Sequence, residues 1–160
     1  MKICLFGLTA CGKTYQSKEL ASYFNIEFVS GSKILLAKLD YKDNAEEHYW
    51  LKDAGTNLNS NRDSSNVDNE TDLELMKKLN ASESFITDSW TMPWLLRADD
   101  IIKIKLNPNI QARARMAMES KTEKSFTLKV LEEKLCEKDE SSKSRFQSLH
   151  GFNCFDESVF

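Results

Sequence analysis

Apolar and polar positions along the chain follow two periods, and the switches between them predict its elements. Ile3-Cys4-Leu5-Phe6 is a continuous apolar run, the mark of a buried strand. Thr14 to Phe24 carries Leu20, Ala21 and Phe24 at helical spacing with Lys18 and Glu19 outward, and Asn25 stops that helix. Ile26-Glu27-Phe28-Val29 reads as a second strand, and the polar turn Ser30-Gly31-Ser32-Lys33 opens an apolar helix from Ile34 to Leu39. Leu73, Met76 and Leu79 mark a short helix. Phe85-Ile86-Thr87 is a third strand ending at Asp88-Ser89-Trp90, and Ile101 to Leu106 is a fourth. Pro108 suits the start of the next helix, which runs through Arg113 and Arg115 to about Glu119. The last helix puts Phe126, Val130, Leu131 and Leu135 on one face, and Glu137-Lys138-Asp139-Glu140 follows as a charged run, with Gly151 beginning the loop beyond.

Alternation of strand and helix this tight predicts an α/β fold with a parallel sheet. The pattern fails between Asp40 and Asn69. That stretch holds His48, Tyr49, Trp50 and Arg62 in polar surroundings, and Asn57, Asn59, Asn61, Asn66 and Asn69 crowd its second half. Composition of this kind predicts a mobile loop, and a long irregular stretch inside a compact domain is functional or disordered. No fifth strand follows the charged run before Phe160.

At 160 residues, with 41% hydrophobic and 29% charged positions, the chain has the length and make-up of one globular domain. A net charge of −3 gives no basic field of the kind nucleic-acid polymers attract, so any affinity for phosphate must come from a local cluster of cations. No stretch approaches the ~18 apolar residues of a membrane helix, and the apolar opening is too short for a signal segment. The four cysteines, Cys4, Cys11, Cys136 and Cys154, form no C-x-x-C pair. They read as reduced thiols of a cytoplasmic protein, expected as a monomer.

Candidate chemistry concentrates in Gly7-Leu8-Thr9-Ala10-Cys11-Gly12-Lys13-Thr14, a full match to G-x-x-x-x-G-K-[ST] placed between a strand and a helix. Its glycines let the backbone curl so that N–H groups point inward, and the helix N-terminus adds partial positive charge. Lys13 is expected to reach the β- and γ-phosphates of a nucleoside triphosphate, and the Thr14 hydroxyl to take a Mg²⁺ position. Cys11, a thiol inside an anion-binding loop, is a candidate for redox sensitivity.

Asp88 ends a strand at the rim where parallel sheets bind ligands. It can serve the Mg²⁺ shell or accept a proton from a substrate hydroxyl. Phosphoryl transfer also needs cations, and Arg97, Arg113, Arg115, Lys138 and Arg145 are candidates. Arg113 and Arg115 lie two apart and cannot share a helix face. Lys138 and Arg145 lie two helical turns apart and can. Trp50, Trp90 and Trp94 could stack on a nucleobase or simply pack. His48 and His150 have no partner in the sequence and read as surface or loop residues.

Three separated stretches resemble the cytidylate kinases of the shorter, archaeal-type branch of the nucleoside monophosphate kinases. The first is Lys2 to Thr14 continuing to Phe28-Val29-Ser30-Gly31. The second is Ile101 to Glu119, similar to that family's strand, proline turn and arginine-bearing helix. The third is Lys138-Asp139-Glu140-Ser141-Ser142-Lys143-Ser144-Arg145-Phe146 with His150-Gly151-Phe152-Asn153, similar to the family's R-[DE]-x-x-S-x-x-R-Y lid run. Lys138 stands where the family carries Arg, and Ala112 and Glu119 also replace arginines.

The resemblance implies a P-loop NTPase fold: a three-layer α/β/α sandwich on a parallel sheet of four strands plus any further C-terminal strand. A helical acceptor-binding insert would occupy about 40–80 and a lid about 136–146. The implied reaction is transfer of a phosphoryl group from ATP, with Mg²⁺, to CMP or dCMP. Gly7 to Thr14 would bind ATP. Thr14 and Asp88 would serve the metal, and Lys13, Arg145 and Arg115 the transferring charge. Lys138 and Asp139 would belong to the lid, and Lys33, Arg62 or Arg97 would hold the acceptor phosphate. Two other functions fit the same residues. One is a kinase acting on a hydroxyl of a nucleoside or other small molecule with Asp88 as base. The other is a nucleotide-binding module without turnover.

Overall fold

Strand ends decide where a ligand can sit in a parallel sheet, and here four of them meet at one rim. The computed structural model describes residues 1–41, 62, 66–120 and 126–156. In chain order the elements are β1 (Lys2–Gly7), α1 (Lys13–Phe24), β2 (Phe28–Ser30) and α2 (Gly31–Lys38). Then come α3 (Val67–Asn80), β3 (Phe85–Asp88), α4 (Met92–Leu95), β4 (Ile101–Leu106), α5 (Ile110–Glu119) and α6 (Leu128–His150). The strands are all parallel and lie in the order β2-β3-β1-β4. Among the described residues this is a mixed α/β fold with six helices, consistent with the three-layer P-loop kinase arrangement; no fifth strand lies among them.

Alternation along β1 builds both cores. Ile3 and Leu5 face α1 and pack with Ala21 and Ile86. Cys4 faces the other way and joins Val29, Ile34, Leu75, Leu79 and Phe85, which lie on or beside α2 and α3. A third cluster, Ala114, Leu131 and Leu135, joins α5 to α6. Burial pushes the Cys4 thiol up to about 12 and Cys154 up to about 11, as expected of inert core sulfurs.

Boundaries differ from the sequence pattern in instructive places. Helix α2 begins at Gly31, because the Ser30 hydroxyl caps it by accepting from the Lys33 N–H at 3.4 Å. Asn109, one residue past Pro108, caps α5 by accepting from the Ala112 N–H at 2.9 Å. The turn of α4 was not legible as a helix; Pro93 sits in its first turn, where no N–H is missed. Residues 136–146, expected as a lid, are the middle turns of the unbroken 23-residue helix α6. Trp50, His48 and most of the expected insert lie outside the described residues. No described helix is long and apolar enough to cross a membrane.

Candidate functional site

The phosphate loop is shaped by three residues with positive φ: Gly7 at 143°, Ala10 at 57° and Gly12 at 86°. Left-handed residues placed among right-handed ones give the backbone a concave turn of N–H groups suited to anions. Gly7 has no substitute there, since a Cβ would lie 2.3 Å from the Leu106 carbonyl oxygen. Helix α1 begins directly after the loop with no side-chain cap and no acid in its first turn, leaving its first N–H groups for a ligand. The Lys13 ammonium donates to the carbonyls of Gly7 and Leu8, each at 2.8 Å, and stands 5.3 Å from the centre of the Trp90 ring.

Register brings Asp88 to this loop: it pairs with Leu5 of β1 on one side and Ser30 of β2 on the other. Its Oδ2 accepts a hydrogen bond from the Thr14 hydroxyl, and its buried Oδ1 has no hydrogen-bond partner. Burial raises the Asp88 pKa, only partly offset by the Thr14 bond and the Lys13 charge. A buried carboxylate oxygen left open beside a P-loop hydroxyl is the donor set a hard divalent cation takes, so the residues present fit Mg²⁺.

A second set of bonds holds the loop from behind. Asp139 of α6 accepts from the Thr9 N–H at 3.0 Å and from Arg113 of α5 at 2.6 Å. Arg113 in turn donates to the Thr9 carbonyl at 3.0 Å. All three residues are buried. Asp139, expected in a lid, therefore ties α5 and α6 to the phosphate loop at Thr9.

One cavity of about 530 Å³ joins these parts. The phosphate loop from Thr9 to Thr14 and Asp88 line one part of it, and Arg62, Asp68, Asp72 and Lys138 another. Met116, Glu119 and Ser120 of α5 and its C-cap close a third side. Arg62 bonds Asp68 through Nε at 3.1 Å and Nη2 at 2.6 Å. Arg145 approaches the same carboxylate at 3.5 Å, but lines an adjoining cavity of about 490 Å³ with Ser141, Ser144 and Ser148. Lys138 is half-buried; loss of water, then the nearby Arg62 and Arg145 charges, push its ammonium down to about 7.

Several expected residues stand elsewhere. Arg115 is exposed, and its neighbour Arg113 is the one turned inward. Arg97 is exposed beyond α4, and Lys33 is exposed in the first turn of α2; neither lines the main cavity. Gly7 and Leu8 line a separate cavity behind the loop.

His150, read from the sequence as a surface or loop residue, is only 10% exposed at its side chain and meets Asp72 Oδ2 at 2.7 Å. Asp72 Oδ1 accepts from the Thr91 hydroxyl at 2.7 Å. His150 also stacks between Phe146 and Phe152, and Phe152 stacks on Trp94. Asp68 and Asp72 were missed. The available signal was their helical spacing with Leu75 and Leu79, which places two carboxylates on an apolar face.

No protein-family model matches the chain. Over 168 aligned positions it is 25% identical to a cytidylate kinase from Sulfurisphaera tokodaii, an alignment covering all of this chain and 83% of that protein. Among solved structures, an uncharacterized protein from Eubacterium ventriosum superposes with a TM-score of 0.62. That match covers all of this chain and 84% of the other at 14% identity, and it speaks for the fold alone. The sequence likeness suggests the kinase-like fold already described and leaves the substrate open.

Proposed function

We propose that the chain is an ATP-dependent kinase whose acceptor is the phosphate of a nucleoside monophosphate, with a cytidine nucleotide preferred. The observation that carries this reading is the shared cavity. The phosphate loop, the Thr14–Asp88 pair and the cations Arg62 and Lys138 face one space of about 530 Å³, enough for a donor phosphate chain to meet an anionic acceptor. The distant likeness to a cytidylate kinase supports the same class.

An oxygen of the acceptor phosphate attacks the γ-phosphorus, the bond from that phosphorus to the β,γ-bridging oxygen breaks, and ADP leaves with the released electron pair. Lys13 and the loop N–H groups hold the donor phosphates, and Lys138 and Arg62 offset the acceptor's charge. Thr14 and Asp88 would hold Mg²⁺, which when bound neutralises charge on the β- and γ-phosphates. An anionic oxygen needs positioning rather than deprotonation, so no general base is required.

A second reading draws on Asp88. Its raised pKa suits a base that deprotonates a nucleoside hydroxyl. The Thr14 hydroxyl engages one oxygen of that carboxylate, and the cations Arg62 and Lys138 lining the same cavity favour the first reading. A panel of nucleoside monophosphates and nucleosides with Mg-ATP, read by ADP release, tests both. Stimulation by CMP or dCMP above the other monophosphates is expected. Stimulation by nucleosides alone selects the second reading, and ADP release unaffected by any acceptor rules out both.

A further inference from the structure

Trp90 is held at the rim from both sides. The Ser89 N–H extends the β3 ladder by donating to the Leu5 carbonyl at 3.1 Å. The Ser89 hydroxyl oxygen accepts from the N–H groups of Thr91 at 3.1 Å and Met92 at 3.2 Å, bonds that fix the turn carrying the indole. The ring meets Phe155 edge-on at 5.4 Å and Phe146 at 6.3 Å. Half-buried, it lines both the main cavity and the cavity of about 370 Å³ behind the phosphate loop. The Lys13 ammonium stands over this ring.

The cavity behind the loop carries acids. Gly7 and Leu8, whose carbonyls accept from the Lys13 ammonium, line it together with Asp139 and Glu140. Among the described residues Lys13 has no carboxylate as a hydrogen-bond partner; besides the two carbonyls it donates weakly to Cys11 Sγ at 3.6 Å. A carboxylate outcompetes a carbonyl for an ammonium because it brings a full negative charge. Lys13 lines the main cavity and not the one behind, and the indole is part of the wall the two share.

We propose that Trp90 is a positioning residue for Lys13: its ring carries the ammonium on the side of the main cavity and closes it off from the carboxylates behind the loop, so that the charge stays available to a triphosphate. This rests on the reading of the phosphate loop as a triphosphate site, and it assigns Trp90 to phosphate binding rather than to stacking on a nucleobase. An indole face is the best aromatic partner for a cation and, unlike a carboxylate, leaves its charge uncompensated. A phosphate oxygen entering from the cavity therefore meets a full positive charge. Leucine or methionine in this place would fill space without the ring's negative face, and phenylalanine would keep that face in weaker form.

The experiment is calorimetric titration of the full chain with Mg-ATP and with Mg-tripolyphosphate, which has neither base nor ribose. It is run on the native protein and on Trp90→Phe, Trp90→Leu and Trp90→Met. Leucine and methionine should weaken both ligands about tenfold, and phenylalanine by no more than about threefold. The loss should be the same for the two ligands, because it arises at the phosphates. A loss confined to Mg-ATP marks stacking on the base and overturns the proposal. Unchanged affinity in Trp90→Leu, equal loss in all three variants, or no binding of either ligand to the native chain overturns it too. Far-UV circular dichroism shows which variants fold, and Trp90→Met carries the comparison if Trp90→Leu does not. ADP release with monophosphates separates this proposal from the kinase reading. The expected affinities without any such release overturn the kinase reading and sustain this one; release with native affinities in Trp90→Leu does the reverse.

Discussion

Replacing Asp139 by Ala removes the acceptor shared by the Thr9 N–H and Arg113 without substituting any residue of the phosphate loop itself. The cost can be worked from what is left behind. Arg113 is 4% exposed, and without Asp139 its guanidinium keeps only the Thr9 carbonyl. Breaking a buried ion pair from one side costs about 3–5 kcal/mol, because the surviving charge cannot regain water. Leaving the Thr9 N–H unmatched costs about 1–3 kcal/mol by itself, and the two losses overlap because both groups relax toward the same space.

A total near 4 kcal/mol is expected, a large part of the 5–15 kcal/mol of a typical domain and about 10 °C in Tm for this length. Urea unfolding followed by far-UV circular dichroism measures it, with an unchanged slope as the check that the unfolded state is the same. The double variant Arg113→Met with Asp139→Leu removes both charges and should recover more than half of the loss. Mg-ATP should bind more weakly to both, since each frees Thr9. A loss below about 1 kcal/mol in Asp139→Ala, or a double variant no better than the single, would falsify the view that this pair anchors the loop.

Three further outcomes follow from the same geometry. Asp88→Asn should stabilise the metal-free chain at neutral pH while reducing turnover and raising the Mg²⁺ concentration needed for half-maximal rate. The sign is that of a carboxylate whose folded pKa is raised: its burial costs stability as pH climbs above about 4, so the Tm advantage of Asn should fade as melts are repeated toward that pH. Gly7→Ala, forced against the Leu106 carbonyl at 2.3 Å and at a φ of 143°, should cost at least about 2 kcal/mol in urea and sharply weaken ATP binding. A thiol reagent at pH 8 should label Cys136 quickly in the folded chain, because Cys4, Cys11 and Cys154 are buried; Cys136→Ser should abolish the fast phase, and fast labelling that persists would contradict the packing.

Strands β1 and β3 were legible because they are short segments buried from both sides, Ile3 to Phe6 and the fully buried Phe85–Asp88. Helix α6 was harder, because Glu137 to Glu140 looks like a solvated run once charge alone is considered. Its inner face continues unbroken through Leu131, Leu135, Asp139, Ser142 and Phe146. The spacing of four, four, three and four is a proper helical stripe. Two of its five members are polar, which is why apolar periodicity ends at Leu135 while the helix runs on to His150.

The same thing happens wherever this site is built. Asp68 and Asp72 continue the stripe of Leu75 and Leu79 on α3, and Arg113 lies with Ala114 and Ala117 on the buried face of α5. Two residues apart on a helix are turned about 200° from one another, so an inward Arg113 obliges Arg115 to point out. Phase against the small apolar residues Ala114 and Ala117, available in the sequence, would have chosen between them. Burying a charge is costly unless it is paired, so a charged side chain in phase with a core stripe implies a partner somewhere else in the chain. Asp139 in phase with Leu131 and Leu135, and Arg113 in phase with Ala114 and Ala117, are such a pair. They meet at Thr9, inside the loop that the motif had already marked, so polar residues found at core phase point to the site from outside any motif.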